Sequence, residues 1–345
     1  MKNPWDCIVV GGGAAGLSAA LTLGRARLQT LVIDSGAPSN RMAEGIGGLV
    51  GHDGRPPEEL YRAGRDELAK YSSVEVRTGR VIDGSVTDGA FELELDDGSH
   101  ESARNMLLAT GSEYRPPLLP GVAERWGRSV FHCPFCHGWE VRDKRLGVLD
   151  STARGGERAL LLKFWSEDVT LFTSGNTDLS HDDVERLKQA KVRIDERVVV
   201  ELRGSGDALE AVAFEGGSER VCEGLLVPAP MSQRTPLAAQ LGAKLRDADA
   251  SVESVEVDAM SRTSVPGLYA AGDISAITPP SVATAIGAGS TAAKAIVHDL
   301  VGELYPALSA AQLDSSKARL SMSKGERALD LNSSTGTRFL VGGHD

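Results

Sequence analysis

Cys7-Ile8-Val9-Val10-Gly11-Gly12-Gly13-Ala14-Ala15-Gly16-Leu17-Ser18-Ala19-Ala20-Leu21 is the stretch that decides the fold of this chain. A short apolar run gives way to three glycines and then to a small-residue segment of helical character, so it reads as strand, tight turn and helix. Gly11 permits the turn, Gly13 lets the backbone come close to a pyrophosphate, and Gly16 lets helix and strand pack tightly. Phosphates would then lie at the positive end of the helix. Glycines alone are weak evidence, but here a second strand, Thr30-Leu31-Val32-Ile33, ends in Asp34, eighteen residues past Gly16. A carboxylate at that distance suits a ribose hydroxyl, and the context is that of a dinucleotide-binding unit.

The second informative feature is Cys133-Pro134-Phe135-Cys136-His137, which holds two of only four cysteines. Four readings compete. A zinc site needs about four N or S ligands at ~2.0–2.3 Å, whereas Cys7 and Cys222 stand apart in apolar, strand-like runs. The string also fits the haem-attachment pattern, which normally goes with export, and no export signal is expected from the N-terminal sequence. A purely structural disulfide closing so short a loop constrains the unfolded chain little. Reversible dithiol chemistry fits best, because one thiolate can attack a substrate disulfide while the other resolves the mixed disulfide.

Composition sets the outer bounds. A chain of 345 residues suggests two domains at ~150 each and buries roughly 75% of its unfolded surface, so no metal staple is needed. Lys and Arg number 37 against 48 Asp and Glu, a net charge of −11, which argues against a nucleic-acid partner. No stretch approaches the ~20 apolar residues of a bilayer span, and Asp6 and the glycine turn flank the first apolar run, which is a strand and not a signal peptide. The expected location is the cytoplasm, where a C-x-x-C pair is usually catalytic.

Along the chain, Asn40 to Pro57 is glycine-rich and irregular, and Glu58 to Leu68 has helical spacing. Alternation at Val74–Arg77 and Phe91–Leu95, with Asp96-Asp97-Gly98 leading into a polar strand, predicts a β-meander. Met106 to Gly111 is a buried strand, after which Pro116-Pro117 and Pro120-Gly121 break the chain. A second α/β unit starts at Arg145–Asp150, with a helix over Arg158–Phe164 and a strand at Val169–Phe172, and strand, helix and strand recur around Val192–Leu202 and Leu225–Pro228. Past Arg234-Thr235-Pro236 the chain returns to the first unit. Gly267 to Asp273 is a strand ending in Gly272-Asp273, and Pro279-Pro280-Ser281 opens a helix over Val282–Leu300 whose first amides are left free for an anion. From Ser309 the sequence turns polar and reads as an accessory, poorly ordered tail.

Over roughly residues 5 to 305 these marks together resemble the low-molecular-weight thioredoxin reductase family of flavoproteins. They are Gly11-x-Gly13-x-x-Gly16, Ala109-Thr110-Gly111, Cys133-x-x-Cys136 followed by Gly138 and Glu140, and Thr263-Ser264-Val265-Pro266-Gly267-Leu268-Tyr269-Ala270-Ala271-Gly272-Asp273. The resemblance implies an α/β fold of two Rossmann-like, three-layer β/β/α domains, the second inserted into the first. An FAD domain would span 1–117 and 238–308, an insert bearing the cysteines 118–237, and the tail 309–345. It also implies a homodimer. FAD contacts are expected at Gly11, Gly13, Ala14, Ala15, Gly16, Asp34, Ser35, Ala109, Thr110 and Gly111, at Gly272 and Asp273 near the pyrophosphate or ribityl end, and at Val282 and Ala283 facing the pyrimidine edge. Cys136 would face the flavin and Cys133 the substrate.

Two departures qualify the resemblance. NADPH-using members carry a second glycine loop where this chain reads Asp150-Ser151-Thr152-Ala153-Arg154-Gly155, and an aspartate there would repel a pyrophosphate by on the order of a few kcal/mol. The basic cluster that grips a 2′-phosphate is replaced by Phe172-Thr173-Ser174-Gly175-Asn176-Thr177-Asp178. NADPH is therefore a doubtful donor, although Arg154 offers one cation. At the redox pair, His137 stands where thioredoxin reductases commonly have aspartate, with His132 just ahead; a cationic or proton-accepting imidazole there lowers a thiol's pKa or carries its proton. Cys-Pro-Phe-Cys-His-Gly-Trp-Glu looks like the branch holding dithiol oxidases and enzymes without an NADPH site. Trp126 and Trp139 read as packing. The expected activity is FAD-dependent dithiol oxidation through Cys133, Cys136 and His137, acting on a small dithiol or a thioredoxin-like protein. The alternatives are a thioredoxin reductase fed by NADPH, ferredoxin or another donor, and a flavin-binding redox sensor without turnover. No metal site is expected.

Overall fold

The computed structural model of the chain describes residues 4–175, 178–246, 252–275 and 279–306; the polar tail expected from Ser309, with Asn176 and Thr177, lies outside the described residues. One compact unit, Met1–Val297, carries the sheets, and a second, His298–Asp345, begins within the last helix. Strand β1 (Trp5–Val10), helix α1 (Ala14–Arg25) and strand β2 (Thr30–Asp34) follow the opening glycine pattern. Helix α2 (Pro57–Leu68) starts on a proline, whose fixed φ and missing amide suit a first turn, and sets Glu58 and Glu59 at its positive end. Strands β3 (Val74–Thr78), β4 (Val81–Thr87), β5 (Ala90–Leu95), β6 (His100–Leu108) and β7 (Ser112–Tyr114) come next.

The first sheet runs β3-β2-β1-β6-β5-β4. Its first three strands and the end of β6 are parallel, whereas β4, β5 and the start of β6 form an antiparallel meander. Val74–Arg77 is therefore not in the meander that its alternation suggested. Residues Val74 to Thr78 pair in parallel with Thr30 to Asp34 at the sheet edge, and β4 supplies the missing meander strand. Phe91, Leu93 and Leu95 point inward at every second position of β5 and are each 1% exposed, contributing roughly 1.5–3 kcal/mol apiece by burial.

The chain continues through β8 (Val130–Phe131), helix α3 (Pro134–His137), β9 (Leu146–Leu149), α4 (Arg154–Leu162), β10 (Val169–Phe172), α5 (His181–Gln189) and β11 (Arg193–Asp195), then β12 (Val199–Arg203), β13 (Ala211–Phe214), β14 (Glu219–Val221), β15 (Gly224–Leu226) and β16 (Met231–Gln233), of which five strands make the second sheet. Order β11-β10-β9-β15-β8 is parallel throughout. Both faces are covered, which is why these strands read as continuous apolar runs: Val148 and Leu226 pack on one side, Leu225 and Phe172 on the other. Helix α4 starts four residues before the expected Arg158 and ends at Leu162, short of Phe164. The strand, helix and strand expected between Val192 and Pro228 are corrected as well. Helix α5 precedes that span, and β12, β13 and β14 form an antiparallel ribbon.

β16 pairs antiparallel with β7, setting Met231 opposite Tyr114 where the chain leaves and re-enters the first sheet's neighbourhood. Helix α6 (Leu237–Gln240), β17 (Leu245–Arg246) and β18 (Ser254–Val255) lead to β19 (Leu268–Ala270), which lies parallel to β6. Helix α7 (Val282–Leu304) runs four residues past the expected Leu300. The fold is α/β with two Rossmann-type sheets, the first mixed and the second parallel throughout.

Candidate active site

At the carboxyl end of the first sheet the loops after β1, β6 and β19 meet the start of α1, the crevice where open α/β sheets take their ligands. Each glycine of the opening motif has its own reason. Gly11 has φ +108°, and a Cβ on it would stand 2.3 Å from the Ala109 carbonyl oxygen; one on Gly16 would stand 1.8 Å from the Gly11 oxygen. At Gly12 a Cβ would meet the Asp34 carboxyl at 2.6 Å. Gly13 differs, because nothing of the chain lies within 4 Å of its missing Cβ. It is the N-cap of α1, in extended conformation and without a side-chain cap, so the leading amides, through Ala14 and Ala15, have no intrahelical acceptor. Open space in front of uncapped amides is the cradle a pyrophosphate fits.

Of the remaining expected cofactor residues, Asp34, Ala109, Thr110 and Gly272 lie against the glycine turn or the start of α1. Asp34 ends β2 and accepts from the Gly36 amide at 3.1 Å, with Ser35 between them. Ala109 donates to the Val10 carbonyl at 2.8 Å, placing Ala109, Thr110 and Gly111 beside Gly11, and Gly111 adopts φ +67°. Gly272, at φ +84°, lies against Ala15, where a Cβ would come within 3.1 Å of the alanine methyl. Asp273 is held twice, its carbonyl by Ser112 Oγ and its Oδ2 by the Tyr114 hydroxyl, both at 3.0 Å. Burial raises the Asp273 pKa, against the Tyr114 hydrogen bond and the Arg234 charge. Val282 and Ala283 begin α7, and Ser281 Oγ accepts the Thr284 amide at 3.1 Å, so the start of this helix is capped rather than wholly free as expected. Tyr114, Arg234 and the Tyr61–Asn40 hydrogen bond (2.9 Å) were not legible as site residues, since no spacing rule links them to the glycine motif.

Cys133 and Cys136 form a disulfide with Cα atoms 5.3 Å apart, Cys133 capping the four-residue α3. The pair touches the glycine-rich loop after β2: a Cβ on Gly47 would fall 2.7 Å from the Cys136 carbonyl oxygen, and Arg128 Nε donates to the Met42 carbonyl at 2.8 Å. Phe135, 71% exposed between the cysteines, meets Trp165 edge-on at 5.3 Å. His137 stacks on Phe131 at 5.8 Å, and neither ring nitrogen has a hydrogen-bond partner. Burial lowers its pKa, opposed by the Glu140 charge and nearby backbone carbonyls. His132 lies between Tyr114, at 4.4 Å, and Trp126, at 5.7 Å, and burial with the neighbouring His137 pushes it down to about 4. Of the two forms expected beside the thiols, the cationic one is thus disfavoured and the proton-accepting one kept. Trp126 packs on His132, whereas Trp139 is 66% exposed under the Arg142 guanidinium. The thiols of Cys7 and Cys222 are fully buried, which pushes Cys222 up to about 12 and Cys7 higher, so both are inert. Among the described residues no cluster fits a metal ion, and no helix is long and apolar enough to cross a membrane.

The second loop is built otherwise. The Asp150 carboxylate is buried, accepts the Thr152 amide at 2.9 Å and pairs with Arg158. Thr152 Oγ1 accepts the Arg154 amide at 3.3 Å, and the Thr152 carbonyl accepts the Gly155 amide at 2.9 Å. A bare aspartate charge is therefore not the obstacle to a pyrophosphate, as the sequence suggested; Arg158 compensates it. What would compete with a phosphate is that the amides of Thr152, Arg154 and Gly155 already have acceptors within the loop.

A family model described as pyridine nucleotide-disulphide oxidoreductase matches residues 5–289. The chain is 33% identical over 316 residues to thioredoxin reductase tcpT of Claviceps purpurea, spanning 88% of this chain and 97% of that protein. It is 30% identical over 305 residues to a thioredoxin reductase of Treponema pallidum, spanning 86% and 97%. An oxidoreductase structure from Agrobacterium tumefaciens superposes with a TM-score of 0.82 at 32% identity, covering 88% of this chain and all of that one. Match, fold and glycine cradle together make the chain a member of the pyridine nucleotide-disulphide oxidoreductase family, a thioredoxin reductase-like disulfide oxidoreductase with FAD as its cofactor.

Proposed function

We propose that this chain reduces the disulfide of a thioredoxin-like protein, with Cys133 exchanging with the partner and Cys136 resolving. The observation that carries the reading is the position of the Cys133–Cys136 disulfide, against Gly47 on one side and, through His132 and Tyr114, linked to Asp273 on the other. The thioredoxin reductases among the full-length relatives support this direction. Bound FAD supplies the two-electron link between the dithiol and the other electron carrier. The amides at Gly13, Ala14 and Ala15 would hold it at the pyrophosphate, Asp34 at a ribose, and Gly272 and Asp273 at the pyrophosphate or ribityl end, within a unit formed by 1–117 and 238–308.

In the reduced chain, Cys133 thiolate attacks one sulfur of the partner disulfide, forming a mixed disulfide and releasing the partner's other sulfur as thiolate. Cys136 thiolate then attacks Cys133 Sγ, so the Cys133–Cys136 bond re-forms and the partner leaves with two reduced sulfurs, which take up two protons. His137 is the base that holds a proton at one of its unpartnered ring nitrogens as thiol becomes thiolate. The partner is soluble with this chain in a cytoplasm, and the chain acts as a homodimer.

A second reading, oxidation of a small dithiol by the reverse exchange, is favoured by the second loop, where the amides of Thr152, Arg154 and Gly155 already have acceptors within the loop and are not free for a pyridine nucleotide donor. One experiment separates them. Holoprotein reduced anaerobically with dithionite is mixed with oxidised thioredoxin, and flavin absorbance is followed. Reoxidation within seconds, absent in Cys133→Ser, is expected; recovery only on admitting oxygen would sink the reductase reading and leave dithiol oxidation. In parallel, NADPH is expected to bleach the flavin poorly beside dithiothreitol.

A further inference from the structure

We infer that Tyr114 is a positioning residue shared between the two halves of the site, its hydroxyl setting Asp273 at the FAD cradle and its ring setting His132 beside Cys133. The phenol donates to Asp273 Oδ2 at 3.0 Å, while the ring centroid lies 4.4 Å from that of His132 at an interplanar angle of 35°. The strand that carries Tyr114 is fixed from both sides. β7 pairs with β16, Ser112 Oγ donates to the Asp273 carbonyl, and Arg234 Nε donates to the Ser112 carbonyl at 3.2 Å while its Nη1 reaches Ala37 at 2.7 Å. Trp126 closes the other face of His132. Neither His132 nor Tyr114 is used by the exchange chemistry, yet both are half-buried beside it.

The consequences for the two halves differ. Asp273 is faced by Tyr114 from β7 and by Arg234 beyond β16, both favouring its carboxylate, and by Tyr61 from α2; burial acts in the opposite sense. A carboxylate can accept hydroxyl hydrogen bonds from a ribityl chain and a carboxylic acid accepts fewer. Losing the phenol donor raises the pH at which Asp273 takes a proton, so FAD should be released at higher pH. Losing the ring instead frees His132 and the backbone of Cys133.

The inference rests on the FAD and dithiol reading above. Bound FAD in the unaltered holoprotein, bleached by dithiothreitol, reports on that reading, whereas the two variants report on Tyr114. Tyr114→Phe keeps the ring and its volume. It should shift the midpoint of FAD release on acidification, read by fluorescence of freed flavin, upward by at least half a pH unit, with the alkylation rate of Cys133 by iodoacetamide in the dithiothreitol-reduced protein unchanged. Tyr114→Leu should shift both, changing the alkylation rate at least threefold. An unmoved release midpoint in Tyr114→Phe, or an unmoved alkylation rate in Tyr114→Leu, would overturn the proposal. Because Tyr114→Phe is nearly isosteric, general unfolding cannot stand in for the result.

Discussion

The two strand-turn-helix loops, Gly11–Gly16 after β1 and Asp150–Gly155 after β9, share a fold position and differ in what becomes of their amides. In the first, glycines remove every side chain that could fill the turn, and Gly13 faces open space. In the second, Asp150 and Thr152 supply acceptors from within the loop, and Arg158 balances the charge. A chain that already satisfies its own donors gains little from a phosphate, because binding would exchange one set of hydrogen bonds for another. The lesson is that a Rossmann-type unit announces a ligand through donors left open rather than through its topology.

The largest test of that contrast is Gly13→Leu. No chain atom lies within 4 Å of the missing Cβ, so the variant should fold with a melting temperature near that of the apo protein. Its side chain occupies the phosphate space, and FAD affinity should fall at least a hundredfold, about 2.7 kcal/mol. Full flavin retention, by absorbance of the purified protein, would mean that the cradle is elsewhere. The matching change in the second loop is Asp150→Ala. It strips the Thr152 amide and Arg158 of their acceptor without touching the first loop, so FAD content should stay constant while stability drops. Breaking a well-buried pair costs ~3–5 kcal/mol, but the Arg158 side chain is 30% exposed, which reduces the expected loss to ~1–3 kcal/mol in urea unfolding. A neutral result would show that the internal acceptors matter little and that the loop could accept an external one.

The same contrast explains how far the sequence was legible. The first loop follows a spacing rule, and Gly11, Gly16 and Asp34 stand where the rule requires. The Cys133–Cys136 pair was legible because its chemistry depends on a two-residue spacing. Asp150 was legible as an oddity but not as a solution, since its partner Arg158 is eight residues on, about one turn into a helix that starts at Arg154 rather than at Arg158. Tyr114 and Arg234 could not be read, for their partners Asp273 and Ser112 lie more than a hundred residues away in sequence and meet only through the β7–β16 pairing. Val74–Arg77 was misassigned because alternation fits an exposed edge of a parallel sheet as well as a meander strand.

The distinction between closed and open groups carries over to the two histidines. His132 is closed, sandwiched between aromatic rings, with its pKa lowered to about 4. A histidine whose folded pKa lies below its unfolded value of ~6.5 binds fewer protons when folded, so stability rises with pH across the window from about 4 to ~6.5 and is lost as pH falls through it. The full effect is on the order of 2–3 kcal/mol below pH 4. His132→Phe keeps the stack and removes the titration, so melting temperature should become flatter between pH 4 and 6.5 than in the unaltered chain. An equal slope would place the acid sensitivity elsewhere.

His137 is the open counterpart, with two unpartnered ring nitrogens, and carries the smallest expected effect. Each thiol exchange must move a proton, and no carboxylate is bonded to the pair. An imidazole already neutral by burial is ready to accept one, and its lowered pKa extends that readiness to more acidic pH than an exposed histidine would allow. General-base assistance is typically worth ~10²–10⁴, but dithiothreitol carries its own thiolate near pH 8, which masks part of it. His137→Ala should therefore slow anaerobic flavin reduction by dithiothreitol about tenfold near neutrality, with FAD content unchanged. The gap should narrow toward pH 9, where the reagent's thiolate dominates. Stopped-flow traces from pH 5 to 9 decide it. A rate and acid limb identical to those of the unaltered chain would make the two empty nitrogens a packing accident, and would leave water to carry the proton past an open group as it does past a closed one.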